Sequence, residues 1–318
     1  MIRVGIVGAA GYTAGELIRV LMNHPNVELR YLQSESHRGE AIGAVHQDLI
    51  YSNLIFSDLN VNDIDVLFLC MGHGMSAQFL ECCPVPSSVR IVDLSNDFRL
   101  AANSNDFIYG LPERNREQIR QAFHVANPGC FATAIELGLL PFAESLSKQI
   151  TVFGVTGATG AGQKLTEETH YTYRAQNLSV YKVFSHQHLA EISETLFDRR
   201  KSVIPEIAFV PVRGCHARGI MANMVFESHV DLAELRVVYD EYYKNHPFVW
   251  LSDKPVHLKQ VVNTNYCFMH IEQQGDKVLI TSVIDNLLKG ASGQAVQNMN
   301  LMFGLEETVG LNLKASYF

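Results

Sequence analysis

The stretch "IRVGIVGAAGYTAGELIRVLMNHP", residues 2–25, has the pattern of a strand, a glycine-rich turn and a helix. Its first residues are apolar enough for a short buried strand, and apolar residues then recur at helical spacing until His24-Pro25 ends the helix. In such a turn Gly8 permits a tight bend, and Gly11 lets the backbone approach a pyrophosphate that the helix N-terminus stabilises. We therefore predict a Rossmann-type dinucleotide-binding domain, with a turn that binds no phosphate as the alternative.

The end of the second predicted strand selects the cofactor. There the chain reads "QSESHRGE", residues 33–40, in which Ser34, Ser36 and Arg38 suit the 2′-phosphate of NADP. Glu35 favours NAD instead, because an acidic residue at this point can accept a hydrogen bond from the ribose hydroxyl. We predict NADP. The predicted cofactor contacts are Gly8, Ala10, Gly11, Tyr12, Thr13, Ala14, Ser34, Ser36, Arg38, Gly72, Gly74, Ser76, Gly160, Gly162, Asn286 and Gly290.

Length, composition and charge narrow the class of protein. A chain of 318 residues suits two domains, and 47% hydrophobic with 18% charged residues is typical of a soluble globular enzyme. The net charge of −8 argues against nucleic-acid and anionic-membrane surfaces. No apolar run approaches the ~20 residues of a membrane span, and the N-terminus lacks the pattern of a signal peptide. We expect a cytoplasmic protein, and without paired CxxC motifs we expect no metal site.

Cys130 lies in "VANPGCFAT", residues 125–133. Pro128-Gly129 ends the preceding strand, and the residues from Phe131 onward suit a helix, so Cys130 falls at a helix N-terminus. The aligned peptide dipoles there favour a thiolate, and the free N–H groups can bind an oxyanion. We predict a nucleophile. A buried, unreactive cysteine is the alternative, and it is our interpretation of the other five cysteines.

A thiol nucleophile needs an acid/base partner, and the best candidates lie in "HQHLAEI", residues 186–192. His186 and His188 precede a predicted helix that carries Glu191, whose carboxylate can orient an imidazole. The alternative is a pair of surface histidines that cap a helix. The stretch "FVPVRGCHARG" adds arginines suited to a bidentate carboxylate or phosphate contact. The predicted substrate contacts are Arg99, Asn127, Gly157, Arg213 and Gln294.

The pattern of strands changes after Cys130. The first half alternates strands and helices, which predicts a parallel sheet. The second half contains the strand-like segments "EIAFVPV", "IMANMVFE", "YCFMHIE" and "KVLITSVID". These predict a mixed sheet. The fold class is therefore α/β, with a Rossmann-type NADP-binding domain followed by an α+β domain, and the boundary lies near Cys130.

A series of motifs resembles the N-acetyl-γ-glutamyl-phosphate reductase family, within the wider group similar to aspartate-semialdehyde dehydrogenase. In chain order they are "GAAGYTAGEL", "VDLSNDFRL", "YGLPE", "NPGCFAT", "TGATGAG", "HQHLAEI", "VPVRG" and "KGASGQAVQNMNLMFG". The resemblance covers nearly the whole chain. This sequence departs from it in three places: Gln187 replaces a basic residue, Phe131 stands where tyrosine is common, and the usual glycine at position 14 is Ala14, followed by Gly15.

The resemblance implies a mechanism from arginine biosynthesis. Cys130 would attack an acyl phosphate, phosphate would leave, and NADPH would reduce the thioester to an aldehyde. A histidine of "HQH" would manage protons, with His186 as the first choice. The resemblance also implies that residues 291–318 return to the dinucleotide-binding domain formed by 1–129. Residues 130–290 would then be the catalytic and dimerisation domain of a homodimer or homotetramer.

Three alternatives to this function stay open at the level of sequence. The same reaction on an N-succinyl substrate differs only in the amine substituent, which no motif identifies. A reductase of aspartyl phosphate is a close enzymatic rival. A cofactor-binding regulatory module with an inert Cys130 is the rival from another class.

Overall fold

The structure is a computed structural model, and it describes residues 1–146, 149–197 and 204–318. The chain divides into two units. The first comprises Met1–Pro128 and Ala291–Asn312, and the second comprises Gly129–Gly290 and Leu313–Phe318. The C-terminal segment Leu313–Phe318 therefore departs from the predicted limits, which assign it to the first domain. The Ser316 amide donates to the carbonyl of Val262 in the second unit, which accounts for the difference.

The strands and helices are numbered in chain order. The strands are β1 (Ile2–Val7), β2 (Val27–Gln33), β3 (Val66–Leu69), β4 (Arg90–Asp93), β5 (Ile108–Tyr109), β6 (His124–Ala126), β7 (Ile150–Thr156), β8 (Ser179–Val180), β9 (Ile207–Arg213), β10 (Ile220–Glu227), β11 (Val249–Leu251), β12 (Cys267–Gln274) and β13 (Lys277–Ile284). The helices are α1 (Tyr12–Leu21), α2 (Met75–Cys82), α3 (Pro112–Gln121), α4 (Cys130–Leu139), α5 (Tyr171–Arg174), α6 (His188–Leu196), α7 (Leu232–Tyr243) and α8 (Gly293–Met302).

The first unit is built on a six-stranded sheet of order β2-β1-β3-β4-β6-β5, in which all neighbours run parallel. Every residue of β3 is buried, as expected for a parallel sheet covered on both faces. The chain runs from β1 to β2 on one side and then crosses to β3 on the other. Ligands of open parallel sheets bind where the direction of winding reverses, outside the carboxyl ends of the strands. Here that point lies between the ends of β1 and β3, next to Gly8.

The second unit is built on a seven-stranded mixed sheet of order β11-β12-β13-β10-β7-β9-β8. Alternate residues of β10 are buried, so that one face of the sheet is packed. The helix α4 lies close to that face, since a methyl group on Gly138 would come within 2.4 Å of Met224 Cε. The Tyr239 hydroxyl of α7 donates to the Gly138 carbonyl at 2.6 Å, which fixes the C-terminal end of α4.

The predicted fold class is confirmed. The first half forms the parallel Rossmann-type sheet and the second half the mixed sheet of an α+β unit. Within the described ranges, none of the helices combines the length and the apolar character that crossing a bilayer requires.

Candidate active site

The glycine turn of the first unit has the geometry of a phosphate-binding turn. Gly8 follows β1 with φ +77°, and a Cβ there would lie 2.6 Å from the carbonyl oxygen of Cys70. Only glycine fits both conditions. Gly11 precedes α1, and no side chain among the described residues caps that helix. The first amides of α1 are therefore left for an anion, as the sequence predicts.

The predicted cofactor residues after β2 lie on the surface of the first unit. The hydroxyl oxygens of Ser34 and Ser36 are 3.4 Å apart. Arg38 pairs with Asp58, and both side chains are exposed. A surface ion pair of this kind contributes little to the free energy of folding. Arg38 can therefore exchange Asp58 for another anion at little cost. Glu35 is also exposed.

The turn that carries Gly72, Gly74 and Ser76 differs from the first glycine turn. Gly74 has φ +82° and precedes α2, as its position in the sequence predicts for a turn. The carboxylate of Asp97 accepts hydrogen bonds from the amides of Gly74 (2.6 Å) and Ala77 (3.1 Å). The start of α2 is thus already occupied by an anion from the protein, and α1 is the better place for a phosphate. Asp97 was not among the predicted residues, since it lies 23 residues from Gly74 and no local pattern links the two.

Arg99 and Asn127, both predicted to contact substrate, lie together in the first unit. Arg99 Nε donates to the Asn127 carbonyl at 2.9 Å. The Asn127 side chain donates to the Ala291 carbonyl at 3.1 Å and accepts from Asn298 Nδ2 at 3.0 Å. These bonds connect the end of β6 to the entrance of α8. Gln294, the third residue predicted to contact substrate in this unit, is fully buried on α8.

The remaining cofactor candidates of the first unit lie on or before α1. Ala14 is fully buried, Tyr12 is exposed, and Ala10 is half-buried in the turn. The Thr13 carbonyl accepts a hydrogen bond of 2.7 Å from the Ser292 hydroxyl. That bond connects the first turn of α1 to the start of α8, so the C-terminal segment supports the glycine turn.

Cys130 is the first residue of α4, as predicted, and two glycines leave room beside it. A methyl group on Gly129 would come within 2.4 Å of His188 Nε2 and 2.7 Å of Glu191 Oε1. A methyl group on Gly290 would come within 2.8 Å of Cys130 Cβ. The Gly129 amide donates to Glu191 Oε2 at 3.1 Å. The structure thus brings four predicted residues of the second unit together at the start of α4: Cys130, His188, Glu191 and Gly290.

The two histidines of "HQH" have different surroundings. His188 Nε2 lies 3.7 Å from Glu191 Oε1, so the carboxylate faces the ring. His186 Nδ1 accepts from the His188 amide at 3.2 Å, and its ring packs edge-on against Phe131. Burial lowers the pKa of His186 to about 4, with further contributions from the charges of Lys182 and Arg213. His186 is therefore a neutral imidazole near pH 7, whereas His188 faces the Glu191 carboxylate.

Tyr181 belongs to the same group of side chains, and the sequence analysis missed it. Its ring lies 4.5 Å below the Arg213 guanidinium and 5.7 Å from the His186 ring, centroid to centroid. Burial raises the pKa of Tyr181 to about 12, the charge of Cys130 adds to the effect, and Arg213 opposes it. Tyr181 is thus within electrostatic reach of the Cys130 thiol. A single tyrosine in a loop carries no sequence signal of such a position.

The second glycine-rich loop is fixed within the second unit. The Gly157 amide donates to the Gly219 carbonyl at 2.9 Å, and a Cβ on Gly157 would lie 2.4 Å from the Ala217 carbonyl oxygen. Asn286 accepts from the Gly219 amide at 2.7 Å and donates to the Thr159 hydroxyl at 3.0 Å. Both ends of the Asn286 amide therefore hold this loop, although the sequence analysis assigns Asn286 to the cofactor. Gly160 and Gly162 lie in the same loop.

An ion pair between the half-buried Arg218 and the fully buried Asp285 positions Gly290. Arg218 Nε and Nη2 each lie 3.1 Å from a different oxygen of the Asp285 carboxylate. The same carboxylate accepts from the amides of Asn263 and Leu287, and the Asp285 carbonyl accepts from the Gly290 amide. Arg218, which the sequence presents as a candidate for anion binding, therefore has a protein carboxylate as its partner.

None of the six cysteines, which all lie within the described ranges, forms a disulfide. Cys267 is buried and Cys70 and Cys83 are partly buried, but Cys82 and Cys215 are exposed. The expectation that the five cysteines other than Cys130 are buried is therefore wrong for Cys82 and Cys215. An alkylation experiment on this chain has to distinguish Cys130 from two exposed thiols.

Comparison with known proteins places this geometry in a family. Residues 3–122 match the family model described as "Semialdehyde dehydrogenase, NAD binding domain", and residues 130–286 match "Semialdehyde dehydrogenase, dimerisation domain". N-acetyl-gamma-glutamyl-phosphate reductase of Parabacteroides distasonis is 52% identical over 326 residues, and that of Bacteroides fragilis is 53% identical over 326 residues; both alignments cover 100% of each chain. The crystal structure of aspartate semialdehyde dehydrogenase II from Vibrio cholerae shares the fold, with a TM-score of 0.73 at 17% identity over 96% of this chain and 98% of that one.

The environment of His186 predicts a loss of stability in acid. The pKa of His186 is about 4 in the folded chain and ~6.5 in the unfolded chain. The contribution of His186 to the free energy of unfolding is therefore complete above pH ~6.5 and is lost as the pH falls toward 4. His186→Asn keeps an acceptor for the His188 amide but does not titrate. We expect it to reduce the difference in unfolding free energy between pH 7 and pH 4 by about 3 kcal/mol, measured by urea denaturation.

The matched control is His229→Asn, since His229 is an exposed histidine of the same unit. It should leave the pH dependence of stability as in the wild type. An unchanged pH dependence in His186→Asn would contradict the assignment of His186 as a histidine that folding keeps neutral.

Proposed function

Because the chain belongs to the semialdehyde dehydrogenase family, and within it to the N-acetyl-gamma-glutamyl-phosphate reductases, we propose that it catalyses the NADPH-dependent reduction of N-acetyl-γ-glutamyl phosphate to N-acetylglutamate 5-semialdehyde. This is a step of arginine biosynthesis. The observation that carries the proposal is the group at the start of α4. There Cys130 follows a glycine whose neighbours are His188 Nε2 and the Glu191 carboxylate.

Cys130 forms the covalent bond in the proposed reaction. Its thiolate attacks the γ-carbonyl carbon of the acyl phosphate, the C–O bond to phosphate breaks, and a thioester remains. No side chain among the described residues caps α4, so its first amides can stabilise the oxyanion of each tetrahedral intermediate. Collapse of the second intermediate breaks the C–S bond, which releases the aldehyde and restores the thiolate.

The glycine turn of the first unit fits a nicotinamide dinucleotide, because Gly8 leaves no Cβ in the way and α1 begins uncapped. When NADPH is bound, it supplies the hydride that reduces the thioester. The turn and α1 would hold the pyrophosphate. Ser34, Ser36 and Arg38 would hold the 2′-phosphate, and the exposed pair between Arg38 and Asp58 supports this assignment because it is easily exchanged.

His188 is the acid/base in this proposal, with Glu191 as the residue that orients it. His188 Nε2 faces Glu191 Oε1 at 3.7 Å and lies against Gly129, the residue before the nucleophile. His186 is the weaker candidate because its lowered pKa, about 4, makes it a poor proton acceptor. His188 would take the proton of the Cys130 thiol in the dehydrogenase direction. In the other direction it would protonate the alkoxide that hydride transfer forms and take that proton back as the C–S bond breaks.

Arg213 is the proposed contact to an anionic group of the substrate. Its Nε is buried and donates to no acceptor among the described residues. Its guanidinium stacks on Tyr181, which lies within electrostatic reach of Cys130. A planar guanidinium held by an aromatic ring is suited to bidentate binding of a carboxylate or phosphate.

We further propose that the protein is a homodimer or homotetramer in the cytoplasm. Phe153 (46% exposed) and Val225 (41% exposed) lie on β7 and β10 and present apolar surface from the mixed sheet. Residues 130–286 match a dimerisation domain, which makes a second copy of the chain the expected partner. Six free thiols, one of them a nucleophile, suit a reducing compartment.

The substrate is tested in the dehydrogenase direction with phosphate and NADP⁺. We expect wild-type protein to form NADPH with N-acetylglutamate 5-semialdehyde. Its kcat/KM for this aldehyde should be at least about tenfold higher than for the N-succinyl analogue or aspartate semialdehyde. A tenfold difference corresponds to about one lost polar contact. Cys130→Ser, with NADP⁺ affinity unchanged, should lose more than about a thousandfold in turnover because a hydroxyl is a far poorer nucleophile than a thiolate. A preference for another aldehyde would reassign the substrate, and normal turnover by Cys130→Ser would contradict the covalent mechanism.

The acid/base assignment predicts different pH profiles for the two histidines. His188→Asn should lower kcat/KM by about a hundredfold or more and flatten its dependence on pH, because the proton acceptor is lost. His186→Asn should keep that dependence, since its ring is neutral throughout this range. The measurement is the initial rate from pH 5.5 to 9 in the dehydrogenase direction. The reverse pattern would assign the base to His186.

The cofactor assignment predicts an effect confined to one nucleotide. Arg38→Ala should raise the dissociation constant of NADPH by about tenfold, as expected for one charge-assisted contact, and leave that of NADH nearly unchanged. Fluorescence titration of both nucleotides measures this. Arg30→Ala is the control, because Arg30 is also a partly exposed arginine of the first unit and pairs with Glu28. Equal losses for both nucleotides would transfer the choice of cofactor to Glu35.

A further inference from the structure

His46 contacts the glycine turn of the first unit, and neither the cysteine chemistry nor the predicted cofactor contacts use it. Its Nε2 lies 2.8 Å from the carbonyl oxygen of Ala9, which follows Gly8 in the turn. A carbonyl only accepts, so Nε2 carries the proton in this contact. The ring is buried, and Ala9 is fully buried. The bond joins residues 37 apart in sequence.

We propose that His46 is a positioning residue for the dinucleotide, acting through the peptide between Ala9 and Ala10. That peptide is planar and trans, so its N–H points away from its carbonyl. When His46 holds the Ala9 carbonyl, the direction of the Ala10 amide is fixed as well. The Ala10 amide has no protein acceptor among the described residues. It is therefore a donor aimed out of the turn, beside the uncapped start of α1, where the proposed function needs donors for a pyrophosphate.

The His46 ring occupies the space where a side chain at position 15 would lie. A methyl group on Gly15 would come within 2.7 Å of His46 Nδ1 and 2.8 Å of Cε1. Real Cβ atoms do not approach other atoms so closely, so an alanine at position 15 would displace the ring. The backbone of Gly15 is helical and needs no glycine for its conformation. The glycine at position 15, after Ala14, is thus explained by the space that the histidine ring occupies.

His46 also connects two parts of the nucleotide site. It lies in the segment after β2, which begins with Ser34 and Ser36, and its ring contacts the turn after β1. Phe56 packs against the His46 ring at 6.3 Å between centroids, which helps to fix the ring in this segment. The His46 contact therefore attaches the segment after β2 to the pyrophosphate turn, in addition to the backbone bond from the Ala9 amide to the Gln33 carbonyl.

The experiment measures NADPH and NADH dissociation constants for the full-length chain. His46→Leu removes the donor, and we expect both nucleotides to bind about fivefold more weakly, the effect of one net hydrogen bond. His46→Gln places an N–H near the position of Nε2 and should recover binding to within about twofold of wild type. At saturating NADPH, kcat of His46→Leu should match the wild type while the KM for NADPH rises.

Gly15→Ala tests the contact from the other side. It should weaken NADPH binding in the wild-type background but much less in the His46→Gln background, where a flexible side chain can move away from the new methyl group. His24→Gln is the matched control: His24 is a buried histidine at the other end of α1, with Nε2 3.0 Å from Asn300 Oδ1. It should lower thermal stability without changing either dissociation constant.

Each result separates this inference from the proposed function on which it rests. Failure of the wild-type chain to bind NADPH or NADH would refute the proposed function. Wild-type affinity in His46→Leu, or equal effects of Gly15→Ala in both backgrounds, would overturn the role of His46. A loss confined to NADPH would also overturn it, because it would assign His46 to the 2′-phosphate loop rather than to the turn.

Discussion

The arrangement around Cys130 depends on the absence of a side chain at Gly129. The Gly129 amide donates to one oxygen of Glu191, while the other oxygen of that carboxylate faces His188. A buried carboxylate is costly unless its oxygens have partners, and here the partners are the backbone before the nucleophile and the proposed base. One side chain thereby fixes the start of α4 and the imidazole relative to each other. Any side chain at position 129 would separate them.

A second constraint on Cys130 comes from the segment around Gly290, which follows it in the chain. The turn that ends at Gly290 is organised by Asp285, whose carboxylate combines the Arg218 ion pair with backbone amides. Burying the Asp285 carboxylate is costly, and the guanidinium together with the backbone amides of Asn263 and Leu287 offsets that cost. Gly290 then lies against the β-carbon of Cys130. Two glycine-containing backbone segments, at Gly129 and Gly290, therefore flank Cys130.

Local patterns in the sequence were sufficient for the fold class, the glycine turn and the helix that begins at Cys130. Each depends on residues within one turn or one strand, where periodicity and glycine placement are informative. The partners that complete these features were not predictable. Asp97 caps α2 from 23 residues away, and His46 contacts Ala9 from 37 residues away. Asn286 was assigned to the cofactor from its motif, but its amide holds the loop at Thr159. Contacts of this kind depend on tertiary geometry, which a single sequence does not encode in any short pattern.

The position of α8 has a consequence for synthesis on the ribosome. Asn298 donates to Gly110 and Asn127, and Asn300 contacts His24, so the last helix supplies partners for buried polar groups of the first unit. These groups are translated early, but their partners emerge only after the whole of Gly129–Gly290. At roughly 5–20 residues per second, that delay is about 10 to 30 s. During this time the nascent first unit has its sheet without its closing helix. The helix that closes the unit translated first is therefore made after every helix and strand of the second unit, which can fold while its predecessor is still open.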